Sequence, residues 1–329
     1  MRRPAFALAL AAAVLATTAG TSNRDAPAAP TSGAAIAGIS PSRVTRSYYM
    51  GDGSATSAGY LGCANGDKQG RMTLFFGSPT TVSGTNGATL WGAPNRTTAQ
   101  IAQTVKAFAR GYLWCRRSPN FILLIGVGTS NSNIDWHSDG WLQGHGRAWA
   151  AMAKGLNDWA RTHYPGRIRL YGAWDAEPSW SSYAKAEQWM RGYDGYGGRP
   201  ALYANSSADG CPQTSAGNGS CNNGWTQRRV WRLAWNYDPA LPIPQIYATS
   251  GANARQWHQI SRYGASQGDV MYFYGTMSQR GACRQVSSGC YGTDLSPERA
   301  HDMLLWAINS TAETRQDSID SATDIRWHS

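Results

Sequence analysis

The sequence predicts an α/β protein: a single (β/α)8-like barrel, irregular in one stretch, with disulfide-bearing loops. Short apolar runs alternate with segments of helical period along most of the chain, as in a parallel sheet whose crossovers are helices. Seven strand candidates, with residues 47–50 as an eighth, fall within about 265 residues, a length that suits a closed barrel. Residues 43–329 can form one large domain with a substantial core. An open doubly wound sheet is the alternative. Gly126-Val127-Gly128 follows a strand candidate but lacks the third glycine of a dinucleotide fingerprint, so no nucleotide site is expected.

The elements follow in order. Residues 46–50 can begin a strand, and turn formers dominate residues 51–70. Met72, Leu74, Phe75 and Phe76 mark a strand over 71–77, bounded by Gly77-Ser78-Pro79. A long loop with Gly84, Gly87, Trp91 and Pro94 leads to Thr97-Thr98, either of which can cap a helix running to about Leu113, where Ile101, Val105 and Phe108 recur at helical spacing. Residues 120–126 are almost wholly apolar, as expected of a strand covered on both faces. A loop over 129–145 and a helix over 146–162 come next, then a strand over 167–174 and a helix over 181–192. Residues 200–204 form a short strand, 205–223 a disulfide-prone loop, and a brief helical segment starts near Trp225.

Strand-like pieces at 230–235 and 243–247 are separated by too few residues for a crossover helix, which is the irregular stretch. A helix over 253–263, a strand over 270–274, a cysteine-bearing loop and a helix over 296–308 follow, the last opened by Ser296-Pro297-Glu298. The end, 312–329, reads as a polar tail.

Arg2 and Arg3, an apolar run from 4 to 16 and small residues through Ala19 have the form of a secretory signal peptide. The expected organisation is a signal peptide and leader over 1–29, a flexible linker over 30–46, the barrel over 47–311 and the tail. An exported chain with six cysteines favours disulfides, and short loops make Cys211–Cys221 and Cys283–Cys290 the preferred pairs, leaving Cys63–Cys115. The formal charge is +10; removing residues 1–30 takes away three arginines and one aspartate and leaves +8. The basic residues are scattered, so no specific nucleic-acid surface is expected, and no later run is long and apolar enough to span a membrane. The 15 Trp and 16 Tyr suit a protein that stacks on sugar rings, although many will pack the core.

The chemistry centres on Trp174-Asp175-Ala176-Glu177 at the end of a strand candidate. Residues i and i+2 of a strand share a face, so Asp175 and Glu177 can occupy one small volume, where repulsion makes one of them hold its proton. An acid beside an anion suits glycosidic cleavage. The plainer alternative has Glu177 in solvent and Asp175 capping the next helix. In a (β/α) barrel the loops after the strands build the site. They carry Ser78, Thr129, Asn131, Asp135, Asn205, Asn236, Asp238, Gln245, Tyr247, Tyr272 and Tyr274. His137 between Asp135 and Asp139, with His145 beyond, has no recognised metal spacing, and no Gly-x-Ser-x-Gly elbow is present. No metal or cofactor is expected.

Trp174-Asp175-Ala176-Glu177, Ala201-Leu202-Tyr203-Ala204-Asn205, Leu233-Ala234-Trp235-Asn236-Tyr237 and Pro244-Gln245-Ile246-Tyr247 follow one another in the order found in the second half of family 25 glycoside hydrolases. Over roughly 168–250 the chain resembles that family of lysozyme-like barrels. The resemblance implies Glu177 as proton donor and Asp175 as stabiliser of the positive sugar. Asp238 or Asp52 would be a third carboxylate. Trp174, Trp180, Tyr203, Asn205, Trp235, Gln245, Tyr247 and Tyr272 are the expected sugar-binding residues. Pro244 stands where the family tends to place an aromatic residue. The expected function is a secreted, extracellular glycosidase acting on a cell-wall or environmental polysaccharide. A noncatalytic carbohydrate-binding barrel is the alternative.

Overall fold

Eight parallel strands form the sheet of a (β/α)8-like barrel in a computed structural model that describes residues 43–286 and 290–328. The expected signal peptide and leader, and the linker up to residue 42, lie outside the described residues. In chain order, β1 (Arg43–Met50) is followed by α1 (Ala55–Ala64) and β2 (Gly70–Phe75). A small antiparallel sheet comes next, β3 (Ser78–Val82), β4 (Thr85–Thr89) and β5 (Arg96–Thr97). Then come α2 (Thr98–Cys115), β6 (Leu123–Ser130), α3 (Asp139–His163), β7 (Ile168–Asp175), α4 (Tyr183–Asp194) and β8 (Leu202–Ala204). After α5 (Gln227–Trp231) the chain forms β9 (Ala240–Pro242), α6 (Ala252–Ser266), β10 (Thr276–Ser278), α7 (Arg280–Val286), α8 (Pro297–Ile308) and β11 (Ser321–His328).

The strand order is β10-β11-β1-β2-β6-β7-β8-β9, and backbone hydrogen bonds join its two edges. Tyr274 N donates to Pro242 O at 2.9 Å, Met277 N to Pro244 O at 2.9 Å and Ile246 N to Met277 O at 2.8 Å. Closure leaves no unpaired edge along this seam.

Local chemistry explains most elements. Thr97 and Gln100 form a reciprocal capping box at the start of α2, and Ser296 caps α8 with Pro297 in its first turn. Ser138 caps α3, so this helix starts well before the expected 146. The expected long loop after β2 is instead the small sheet, because Ser83 and Gly84 both take positive φ in a two-residue hairpin turn. All three expected disulfides are present: Cys63–Cys115, Cys211–Cys221 and Cys283–Cys290. Among the described residues no helix is long and apolar enough to cross a membrane.

Further stretches differ from expectation. Residues 230–235 are helical, ending α5 and continuing as a π-helical turn, Arg232–Asn236. Buried Val230, Leu233 and Ala234 stand at i, i+3 and i+4, so one helical face reaches the core. The connection from β8 to β9 is therefore a helical crossover, which removes the irregularity. Strand β10 lies beyond 270–274, because Gln316 takes the backbone groups of Phe273: Phe273 N donates to its Oε1 at 2.9 Å and its Nε2 donates to Phe273 O at 2.7 Å. The expected tail contains β11, which pairs with β1 from Arg43↔Ser321 to Met50↔His328. The first strand likewise begins at Arg43, inside the expected linker.

The barrel interior explains why β11 is hard to read. Ser47 and Thr323 meet at 2.8 Å, and Thr73 Oγ1 donates to Asn205 Oδ1 at 3.1 Å, so inward positions in the middle of the barrel are polar. One apolar group, Ala173, Tyr203 and Ile243 with Tyr171, Leu241 and Tyr274, is separate from a second made by Phe75, Met277 and Ile325 with Tyr49, Trp91, Tyr247 and Trp327. The largest apolar cluster packs between sheet and helices.

Gly126 and Gly128 serve this interior. A Cβ at 126 would lie 2.7 Å from the Tyr203 ring, and one at 128 would lie 2.6 Å from the Phe75 ring. Gly126→Ala should therefore destabilise the fold by about 1–3 kcal/mol through overpacking. A urea midpoint equal to that of the wild type would contradict this account of the interior.

Candidate active site

Strand β7 delivers Asp175 to the mouth at the C-terminal ends of the strands, and the following turn brings Glu177 beside it. Both are buried: Asp175 is 1% exposed and Glu177 8%. Gln245, on the barrel segment after β9, holds them together. Its Nε2 lies 2.7 Å from Asp175 Oδ1, 2.8 Å from Glu177 Oε1 and 3.1 Å from Asn205 O. The two carboxylate oxygens, sharing one nitrogen, are therefore at most 5.5 Å apart, the sum of their two bonds.

Asn131, after β6, fixes the turn from the other side. Its Oδ1 accepts from Glu177 N at 2.9 Å, and its Nδ2 donates to Glu177 O at 2.9 Å and Ser181 Oγ at 2.7 Å. Ser182, with Asp135 accepting from its backbone N–H, opens α4. The helix-capping alternative for Asp175 is thus not what the structure forms.

Burial raises the proton affinity of both acids. The charge of Asp209 raises Asp175 further, and the charges of Asp175 and Asp209 raise Glu177, while Gln245 opposes both shifts. The pair therefore keeps a proton above the usual carboxylate range. Asp209 lies in the loop after β8, tethered by Cys211–Cys221 and by Asn222 N donating to Asp209 O at 3.0 Å. Burial, then the negative charge of the pair, also pushes the Tyr49 phenol well up, and burial does the same to Tyr247. Both phenols stay protonated. The Tyr247 hydroxyl is shielded from solvent and has no aligned hydrogen-bond partner among the described residues.

An aromatic wall stands at the same mouth. Tyr49 lies 4.6 Å from Trp327 and 4.8 Å from Trp91, and Trp91 meets Trp327 edge-on at 5.8 Å. All three are partly exposed. They come from β1, the loop between β4 and β5, and the end of β11. None of the three was expected as a site residue. Asp209 was also missed, although it follows a strand in the disulfide loop. Tyr49 could have been found from Tyr48-Tyr49-Met50-Gly51, a strand end like the one carrying Asp175.

Several expected site residues lie elsewhere. Trp174 is fully buried on the outer face of β7, stacked on Trp189 at 3.9 Å. Tyr203 is buried inside the barrel beneath the mouth. Asn205 is buried and acts on neighbours: its carbonyl holds Gln245 and its Nδ2 donates to Ile243 O. Trp235 lies in the π-helical turn and donates to Asp269 Oδ1 at 2.7 Å. Asp238 precedes β9, at the opposite barrel end, where its 89% exposed side chain pairs with Arg199. Tyr272, 48% exposed, precedes β10 against Tyr274 and is likewise away from the mouth. Asp52 is at the mouth end but accepts from Ser54 N at the start of α1. Trp180 is partly exposed on the rim, its N–H donating to Glu177 O at 3.1 Å. Gln245 and Tyr247 are at the site.

His145 is buried with Nδ1 accepting from Trp189 Nε1 at 2.9 Å and Nε2 on Gly87 O at 2.8 Å, and burial pushes it down to about 4. Among the described residues no group of three His, Cys, Asp or Glu side chains is placed to hold a metal ion. No protein-family model matches the chain, and no curated protein matches it.

The shifted acids predict a pH dependence of stability. A carboxyl whose folded proton affinity is raised binds more protons in the folded than in the unfolded state, so stability falls as pH rises from the ordinary carboxylate range through the raised one. Glu177→Gln should raise Tm at neutral pH by about 2–4 °C, and the gain should vanish near pH 4. Calorimetry at the two pH values checks this; a variant less stable at neutral pH would mean that the charge is well accommodated.

Proposed function

We propose that the protein is an exported glycoside hydrolase that cleaves a polysaccharide with Glu177 as acid and Asp175 as the stabilising anion, in the manner of the family 25 enzymes it resembles. The observation that carries this reading is the buried Asp175–Glu177 pair, raised in proton affinity and bridged by Gln245, beside the wall of Tyr49, Trp91 and Trp327. Flat aromatic faces bind the apolar faces of sugar rings, and the acids supply what glycosidic cleavage needs.

Glu177 gives its proton to the leaving oxygen as the C1–O bond breaks, and ionised Asp175 lies against the positive sugar. Water then adds at C1 and its proton returns to Glu177. The bound of 5.5 Å on the nearest oxygens is shorter than the separation of about 6.5–9.5 Å in pairs that activate water between them. Asp175 therefore works on the sugar itself. Three disulfides suit an oxidising, extracellular setting.

One observation favours the noncatalytic reading: Asp175 is 1% exposed and both acids already share the Gln245 amide, an arrangement a purely structural pair could adopt. Incubation of the protein with a panel of neutral and acidic polysaccharides separates the two. Release of new reducing ends by the wild type supports hydrolysis, whereas retention on a glycan column without release supports binding alone.

A further inference from the structure

A second concave site lies on the outside of the barrel between α4 and α5, a cavity of about 390 Å3. Arginines enter it from both walls: Arg191 from α4, and Arg228, Arg229 and Arg232 from α5 and its π-helical extension. Converging like charges repel, so such a cluster is stabilised by a counter-anion.

The one carboxylate lining the cavity is already engaged. Glu187 accepts from Tyr183 OH at 2.8 Å and Tyr237 OH at 3.2 Å, and pairs with Arg191 at 3.4 Å and Arg232 at 3.1 Å. It aligns two arginines and pairs with neither Arg228 nor Arg229, the latter donating from Nη1 to Gly224 O at 2.5 Å. Among the described residues neither Arg228 nor Arg229 has an ion pair, although Arg229 lies over the Tyr183 ring at 5.0 Å. Guanidinium groups match the paired oxygens of phosphate and carboxylate.

The cavity is tied to the candidate active site. Tyr183 begins α4 eight residues after Asp175, and the loops between are bound to the start of α5. Asn223 Nδ2 donates to Pro178 O at 2.7 Å, Asn222 Nδ2 to Ser179 Oγ at 2.9 Å and Trp225 Nε1 to Ser181 O at 2.7 Å. From Tyr183 to Arg191 the wall descends about 12 Å along α4. A flexible polymer crossing the mouth can therefore place a side group or a later unit in the groove.

We propose that this groove binds an oxyanion, phosphate or carboxylate, carried on a glycan polymer, and that the substrate of the neighbouring site is accordingly an acidic polysaccharide. The substrate part rests on the glycosidase reading; anion capture by the groove does not. Binding of a phosphomannan, polygalacturonate and a neutral glucan is measured by calorimetry on the Glu177→Gln protein, with and without Arg228→Ala/Arg229→Ala. Because Arg229 also contacts Tyr183, Arg228→Ala alone is the second variant. Arg147→Ala/Arg161→Ala, which removes the same charge from exposed positions of α3, is the control.

The expected result is binding of one acidic polymer in preference to the glucan, weakened about tenfold or more by the double substitution and in the same direction by Arg228→Ala, with the control near wild type. The preferred polymer distinguishes phosphate from carboxylate. Equal loss in the control reduces the effect to general charge attraction and overturns the proposal, as does the absence of acidic-polymer binding. If wild-type protein cleaves neutral glycans while the groove binds nothing, the groove fails and the glycosidase stands. If the groove binds and no glycan is cleaved, the reverse holds.

Discussion

Glu177→Gln should slow glycan cleavage by about 10²–10⁴-fold, the usual contribution of a positioned general acid. The substitution keeps an oxygen that can accept from Gln245 Nε2, and Asn131 grips residue 177 through its backbone, so the mouth should keep its shape. What disappears is the proton delivered to the leaving oxygen. The aromatic wall of Tyr49, Trp91 and Trp327 is untouched, so KM should change little while kcat falls. Initial rates of reducing-end release across substrate concentration separate the two parameters. An unchanged kcat would remove Glu177 from the chemistry, and a large rise in KM alone would make it a binding group.

Removal of residues 321–329 should abolish cooperative folding. The deletion takes away β11, which pairs with β1 along its whole length and with β10 along Thr276↔Ala322 to Ser278↔Asp324. It opens the barrel and strips Thr323 from Ser47 and Ile325 and Trp327 from the interior group near the mouth. Losing this much at once exceeds the about 5–15 kcal/mol of net stability typical of a folded domain. Urea unfolding followed by circular dichroism gives the readout. A sharp transition at the wild-type midpoint would show that the barrel does not depend on β11.

Legibility in the sequence tracked how far each element depends on its own residues. The start of α8 was readable from Ser296-Pro297, and α2 from the threonines that cap it and its apolar period. The disulfides were readable because short loops limit the partners of Cys211 and Cys283. Residues 230–235 fit both a strand and one face of a helix, and only packing against the neighbouring elements selects the helix. Strand β11 was hidden because Ser321 and Thr323 face a polar interior, so the alternation of apolar and polar residues that announces a strand is lost.

The candidate site divides in the same way. The sequence placed Asp175 at the end of a strand in a helix-covered parallel sheet with Glu177 two residues on, whereas the turn after the strand, gripped by Asn131, is what sets Glu177 beside it. It also singled out Gln245 and Tyr247 as mouth residues. Tertiary structure alone decided what surrounds the pair. Barrel closure sets Tyr49 from the first strand against Trp327 from the last, and a disulfide-tied loop brings the charge of Asp209 to both acids. It also carried Trp174, Trp235, Asp238 and Tyr272 away from the mouth. The physical reason is that side-chain direction within one element follows from local backbone geometry, whereas neighbours from distant parts of the chain depend on how the sheet closes.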